Sequence, residues 1–140
     1  MLIQEEFMTA KQQLHEVQAI ECRINNLAGE KKEIKRALAF VQSNMMRGSN
    51  PPGMKYIKKW SALLEQIEEE QNELIKAKQA IIDRIDSLRD ARYSLLLYKR
   101  YVEIKPFRRI AEEMAYSEDR IMHLHNDAVK AFEQASESEI

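Results

Sequence analysis

The sequence predicts an all-α protein: a long antiparallel coiled-coil helical hairpin followed by a C-terminal three-helix module of helix-turn-helix type. Three observations carry this. Apolar residues recur at alternating steps of three and four through most of the first 88 positions, the seam pattern of packed helices. That pattern is interrupted once, by RGSNPPG at Arg47–Gly53. Beyond Asp90 its register gives way, and two short helical patterns follow with only Ala115 and Tyr116 between them. Composition agrees: 32% of the residues are charged and the 140 positions include only 3 glycines and 3 prolines. Such a mixture favours long surface helices over a mixed fold. The expected division is an oligomerisation arm over 1–89 with its loop near 46–54, the module over 90–133, and a frayed tail over 134–140.

The first helix is expected from about Leu2 to Met45. Its seam passes through Phe7, Ala10, Leu14 and Val17, then Ile20, Ile24, Leu27, Ile34, Leu38, Val41 and Met45. The short step between Val17 and Ile20 reads as a local stammer. Gly29 weakens such a helix by about 1 kcal/mol against alanine and marks the place for a kink. Two prolines and two glycines within seven residues then predict a break before a second helix from near Met54 to about Leu88.

In the second helix the register is cleaner. Ile57, Trp60, Leu64, Ile67, Gln71, Leu74, Lys78, Ile81, Ile85 and Leu88 keep the three-four alternation, and Leu63, Ile75 and Ile82 widen the stripe. A two-stranded seam needs only the narrow stripe, whereas a bundle needs the wider one. The arm is therefore expected to pair with a second hairpin in a homodimer. Its oligomerisation residues would be Ile57, Trp60, Leu64, Ile67, Leu74, Ile81 and Ile85. Gln71 and Lys78, polar at core positions, would set register or partner number.

A third helix is expected from Asp90 to no later than Ile104, because Pro106 disfavours helix in the residue before it. The next pattern, Pro106 to Met114, opens with a proline in its first turn, where the missing N–H costs nothing. Ser117 is a favourable N-cap for the last helix, and Glu118 and Asp119 suit its positive end. Helices this close in sequence must cross steeply, which is a helix-turn-helix. Ile110, Ala111 and Met114 on the first, and Ile121, Leu124, Ala128 and Phe132 on the second, fall on single faces. Ala111 is small enough for a close crossing, Tyr116 can plug the gap, and Ala115 would hold the left-handed turn conformation usually given to glycine.

Lys99, Arg100, Lys105, Arg108 and Arg109 face only Glu103 within their eleven-residue span, a local excess of four positive charges in a chain of net charge −1. A cluster at this place suits phosphate contacts, with a solvated helix face as the plainer alternative. On the last helix the outward positions are Asp119, Arg120, Met122, His123, Asn126 and Lys130. Asn126 can pair bidentately with adenine, and Arg120 and His123 can donate to bases or phosphates. The candidate DNA-binding set is thus Lys105, Arg108, Arg109, Ser117, Arg120, Met122, His123, Asn126 and Lys130. Glu118 and Asp119 oppose a polyanion.

Other chemistries find little footing. Cys22 is the only cysteine, which leaves no intramolecular disulfide and no cysteine-based metal site. His123 and His125 point to different faces, and His15 stands alone. Glu68, Glu69 and Glu70 read as helix-surface charge. No catalytic constellation, glycine-rich phosphate loop, metal site or cofactor is expected, and the chain is not expected to be an enzyme. MLIQEEFMTAKQQ lacks the basic-then-apolar order of a signal peptide, and Leu95–Tyr98 is far too short to cross a membrane. A cytoplasmic protein with no membrane partner is expected.

The string RY-x-E-x(3)-F-x(2)-IAEEM-x-YS-x(3)-I-x(2)-LH-x(2)-A-x(2)-AF, Arg100 to Phe132, resembles region four of bacterial sigma factors. With the charged helices before it, the whole chain is similar in architecture to sigma-region-four-like phage and prophage regulators related to the ArpU and RinA late-operon activators. The sharp match covers about a quarter of the chain. The resemblance implies a transcriptional regulator acting on double-stranded DNA at a late or packaging operon promoter, with host RNA polymerase as a further partner. Two alternatives stand beside it: a coiled-coil adaptor whose module binds protein, and a small-terminase-like packaging protein assembled as a ring.

Overall fold

The computed structural model describes residues 9–46 and 51–138. They form helices joined by short connections, with no strand among them: α1 (Ala10–Met46), α2 (Pro51–Asp86), α3 (Ala91–Leu97), α4 (Phe107–Met114) and α5 (Glu118–Ser138). They sort into two compact units. One spans 21–76; the other combines the residues before 21 with those from 77 onward.

α1 opens at Ala10, where Thr9 caps it; the expected start at Leu2 lies outside the described residues. The Gln12 backbone N–H donates to Thr9 Oγ1 at 3.1 Å, and the Thr9 N–H donates back to Gln12 Oε1 at 2.9 Å. The sequence T-A-K-Q over Thr9–Gln12 is the signal of this reciprocal capping box. Phe7, expected on the seam, lies outside the described residues. α1 then runs unbroken through Gly29, which has no neighbouring atom within 4 Å of where a Cβ would stand.

α2 begins at Pro51, so Pro51, Pro52 and Gly53 are helical and do not form the predicted break. Prolines in a first turn give up N–H groups that have no intrahelical acceptor anyway. Only 47–50 of the expected loop fall outside the described residues.

In the unit of residues 21–76, Arg23 pairs with Glu70 at 3.0 Å and Lys31 with Glu68 at 2.9 Å. The later residue of α1 meets the earlier residue of α2, so these segments run antiparallel. Leu27 and Ile67 are buried between them. Ile34, Leu38, Val41, Ile57, Trp60, Leu64 and Leu74 remain only half-buried. Exposed ion pairs of this kind contribute at most about 1 kcal/mol each. The apolar stripe does most of the holding.

The other unit is organised around α3, whose adjacent Leu96 and Leu97 enter two different cores. Leu97 joins Ala10, Leu14, Ile85, Tyr101, Ala128 and Phe132. Leu96 joins Ile110, Ala111, Ile121 and Leu124. Asp90 caps α3 by accepting from the Arg92 N–H at 2.9 Å, and Ser94 Oγ donates to the Ile85 carbonyl at 2.8 Å. α3 is therefore a separate helix tied to the end of α2. Ile85, assigned above to self-association, is fully buried in this intrachain core, with Ile81 packed against it. Seam spacing identifies an apolar face but not what covers it. At the other end, α5 continues to Ser138, beyond the boundary expected at 133.

α3 leaves the α-helical form at Leu97, within the expected limit of Ile104. It passes into a wider π-type turn over Tyr98–Val102, where the Glu103 N–H reaches the Tyr98 carbonyl at 3.0 Å. Ile104 then takes φ 58° and Ala115 takes φ 60°, both left-handed. For a β-branched residue this conformation is a genuine strain. Ile104→Gly should raise stability by about 1–2 kcal/mol and Ala115→Gly by about 0.5–1 kcal/mol. Urea unfolding of the two variants checks both, and a loss in either would contradict the left-handed geometry there.

Candidate nucleic-acid interface

α4 starts after Pro106, whose ψ of 153° turns the chain into the helix and whose carbonyl accepts from the Arg109 and Ile110 N–H groups at 3.0 and 3.1 Å. It ends at Ala115 in a Schellman arrangement. The Tyr116 N–H returns to the Ala111 carbonyl at 3.0 Å, and the Ala115 N–H to Glu112 at 3.3 Å. Ser117 restarts the chain: its Oγ accepts from the Arg120 N–H at 3.2 Å. Glycine's role in this turn is taken by an alanine because the orphan carbonyls are so fully used. Both the left-handed alanine and the serine cap were legible beforehand.

α4 and α5 are locked by the expected residues. Ile110 and Ala111 pack with Ile121 and Leu124, with Met114, Tyr116 and Phe107 around them. This leaves Arg120, Met122, His123, Asn126 and Lys130 exposed on α5, as the periodicity required. The Arg120 guanidinium lies 4.5 Å over the Tyr116 ring. Arg120 is thus held before any ligand arrives. Ser117 is exposed but its hydroxyl is engaged as a cap.

The basic cluster differs from its linear tally. Glu113, just outside the eleven-residue span, folds into its centre and pairs with Lys99, with Lys105 at 2.8 Å and with Arg109 at 3.1 Å. The hydrogen bonds from Lys105, Lys99 and Arg109 lower its carboxyl pKa to about 2. Lys105 also reaches Glu103 at 3.4 Å, and its own pKa is raised, chiefly by Glu113. Arg100 donates to the Lys105 carbonyl at 3.1 Å and stacks 4.1 Å over Phe107. Arg108 is exposed and enters none of these contacts. The i, i+4 spacing of Arg109 and Glu113 was the available signal, and a count confined to the cluster's own span missed it.

His125 belongs to the core. It is buried at 2% exposure, and its Nε2 shares a hydrogen bond of 2.7 Å with the Tyr101 hydroxyl. The Phe107 ring meets it edge-on at 4.9 Å, while His15, on α1, meets Tyr101 at 5.1 Å. Burial lowers the His125 pKa to about 4, helped by Lys11, Arg100 and His15, and only Asn126 opposes the shift. It holds α5 against the π-type turn and takes no part in the outward face. Position 125 lies four beyond Ile121 and three before Ala128, so helical periodicity could have assigned it to the core.

Glu118, Asp119 and Asp127 are exposed on the same helix as the candidate readers. Cys22 is exposed, and no group of three or more potential metal ligands occurs among the described residues. No described helix is long and apolar enough to cross a membrane. Neither a family model, nor a curated protein, nor a solved structure matches the chain.

Proposed function

We propose that this chain is a sequence-specific DNA-binding transcriptional regulator of phage or prophage type, acting at a late or packaging operon promoter. The observation that supports it best is the α4–Ala115–α5 junction: two helices joined through a left-handed Ala115 and packed through Ile110, Ala111, Ile121 and Leu124, which leaves one polar face of α5 outward. In this reading the junction is a helix-turn-helix and α5 enters the major groove. Asn126 and Arg120 read base edges, while Arg108, Lys105 and Arg109 contact phosphates. The half-buried stripe from Ile57 to Leu74 supports a homodimer of coiled-coil hairpins.

The test uses duplexes from the region upstream of the protein's own gene, compared with random sequence across a salt series. Arg108→Ala should weaken binding to every duplex and make the logarithmic salt dependence shallower by about one unit. Arg109→Ala should do less, because Glu113 already holds that guanidinium. Asn126→Ala and Arg120→Ala should each cost about 1–3 kcal/mol on the preferred site and little on random DNA. The protein should sediment as a dimer. Absence of any preferred duplex would remove this reading.

Exposed Glu118, Asp119 and Asp127 favour a second reading, in which the module docks on protein such as RNA polymerase. Phe107 and Tyr116 would then matter more than the arginines. A ring rather than a dimer in sedimentation would favour a packaging protein of small-terminase type.

A further inference from the structure

The densest free positive charge lies in the unit of residues 21–76 and not beside α4. Over Lys31–Arg36 α1 carries four cations against Glu33, and over Lys55–Lys59 α2 carries three with no acid. Lys31 is held by Glu68. Lys32, Lys35, Arg36, Lys55, Lys58 and Lys59 are all exposed, and no ion pair among the described residues ties any of them. The antiparallel ion pairs set the register so that the two cationic stretches lie toward the same end of the helix pair. Lys35 is near enough to Glu68 to help lower its pKa, which places it on the flank that Lys31 bridges.

We propose that this end of the α1–α2 pair is a sequence-independent nucleic-acid contact, gripping the phosphate backbone. Lys32 and Arg36 recur on the side of α1 away from Leu27, Ile34 and Leu38, and Lys35 stands on the flank between. An apolar protein partner would be drawn to the latter stripe and leave the cations in water. A polyanion is what they match. The surface is built from side chains that a duplex meets through charge alone: flexible ammonium and guanidinium groups on two rigid helices, with no acid to repel phosphate along Lys55–Lys59. Exposed Phe40 and Tyr56 at the same end add flat rings on which an unpaired base could stack. The contact is independent of the α5 reading and would raise affinity for all sequences alike.

The experiment measures anisotropy of a labelled random-sequence duplex, and of a single strand, with the full chain over a salt series. The variants are Lys32→Gln/Lys35→Gln/Arg36→Gln and Lys55→Gln/Lys58→Gln/Lys59→Gln, exposed changes to a residue of similar helix propensity whose fold circular dichroism verifies. Each should weaken random-sequence binding by at least about tenfold at low salt and make the salt dependence shallower by up to about 2.7 units. The single strand separates the two contributions: comparable losses mean phosphate alone, and binding better retained there means that the unchanged Phe40 and Tyr56 rings stack on bases as well. Unchanged duplex binding in both variants overturns the proposal. So does a variant that loses its hold on phosphatidylserine vesicles while keeping duplex binding, which would mean a membrane surface. So does one that dissociates into monomers with binding per chain intact, which would mean a second copy. Loss of sequence preference in Asn126→Ala with these effects intact would leave this contact standing apart from the α5 reading.

Discussion

Phe132→Ala should cost about 3–5 kcal/mol, the largest loss expected from any single truncation in the C-terminal unit. The ring is fully buried among Leu14, Ile85, Leu97 and Ala128, so it joins α1, the end of α2, α3 and α5 in one contact set. The Arg84 guanidinium covers its face at 4.1 Å, and Arg84 Nη2 donates to Gln13 at 3.1 Å. Removing the ring opens a cavity and also strips a half-buried guanidinium of its aromatic partner. Domains of this size have roughly 5–15 kcal/mol of stability, so the loss is a large share of it. Ile75→Ala, at a residue 51% exposed, is the control and should change stability by less than about 0.5 kcal/mol. Urea unfolding decides it: a loss for Phe132→Ala below about 1.5 kcal/mol would mean that α5 is not anchored through this core.

Acid should weaken the same unit through His125. In the folded chain its pKa is lowered to about 4 from 6.5. Above 6.5 both states carry a neutral ring, and this group adds no pH dependence. As pH falls from 6.5 toward 4 the unfolded chain takes up the proton first, so stability drops through that window and the contribution levels off below it. The full shift corresponds to at most about 3 kcal/mol. His125→Gln keeps a partner for the Tyr101 hydroxyl and removes the titration. Its stability should therefore fall less between pH 6.5 and 4 than that of the unmodified chain, where carboxylates supply the remaining slope. Proton NMR of the His125 ring supplies the direct check. Titration near 6.5 would show that the Tyr101–His125 contact is open in solution.

Much of this was readable from spacing. Steps of three and four located both long helices and the buried faces of α4 and α5, because a helical period ties position in the sequence directly to position on a surface. Ser117 and Ala115 were readable because capping and left-handed turns obey local rules. The rest has local causes in part: Thr9–Gln12 forms a capping box of only four residues, and Pro51 and Pro52 resemble breakers although a first turn accepts them. The Lys31–Arg36 and Lys55–Lys59 cations stand in plain view in the sequence. They gain weight only when α1 and α2 pair and bring the two stretches to one end.

By itself, then, the sequence determined an all-helical chain, where its helices turn inward, and which α5 residues face water. Those properties depend on contacts within a few residues and on the 3.6-residue period. Tertiary structure alone decided what each inward face meets. Ile85 proved to belong to the core of Phe132 and Leu97, not to a surface for another chain. Glu113 came to bind three cations, two of them eight and fourteen residues away, which reduces the charge left for phosphate. His125 found Tyr101, twenty-four residues distant, and became a buried neutral strut. The physical reason is common to all three: burial and pairing depend on which segment is brought alongside, and the periodicity of a single helix contains no term for its neighbour.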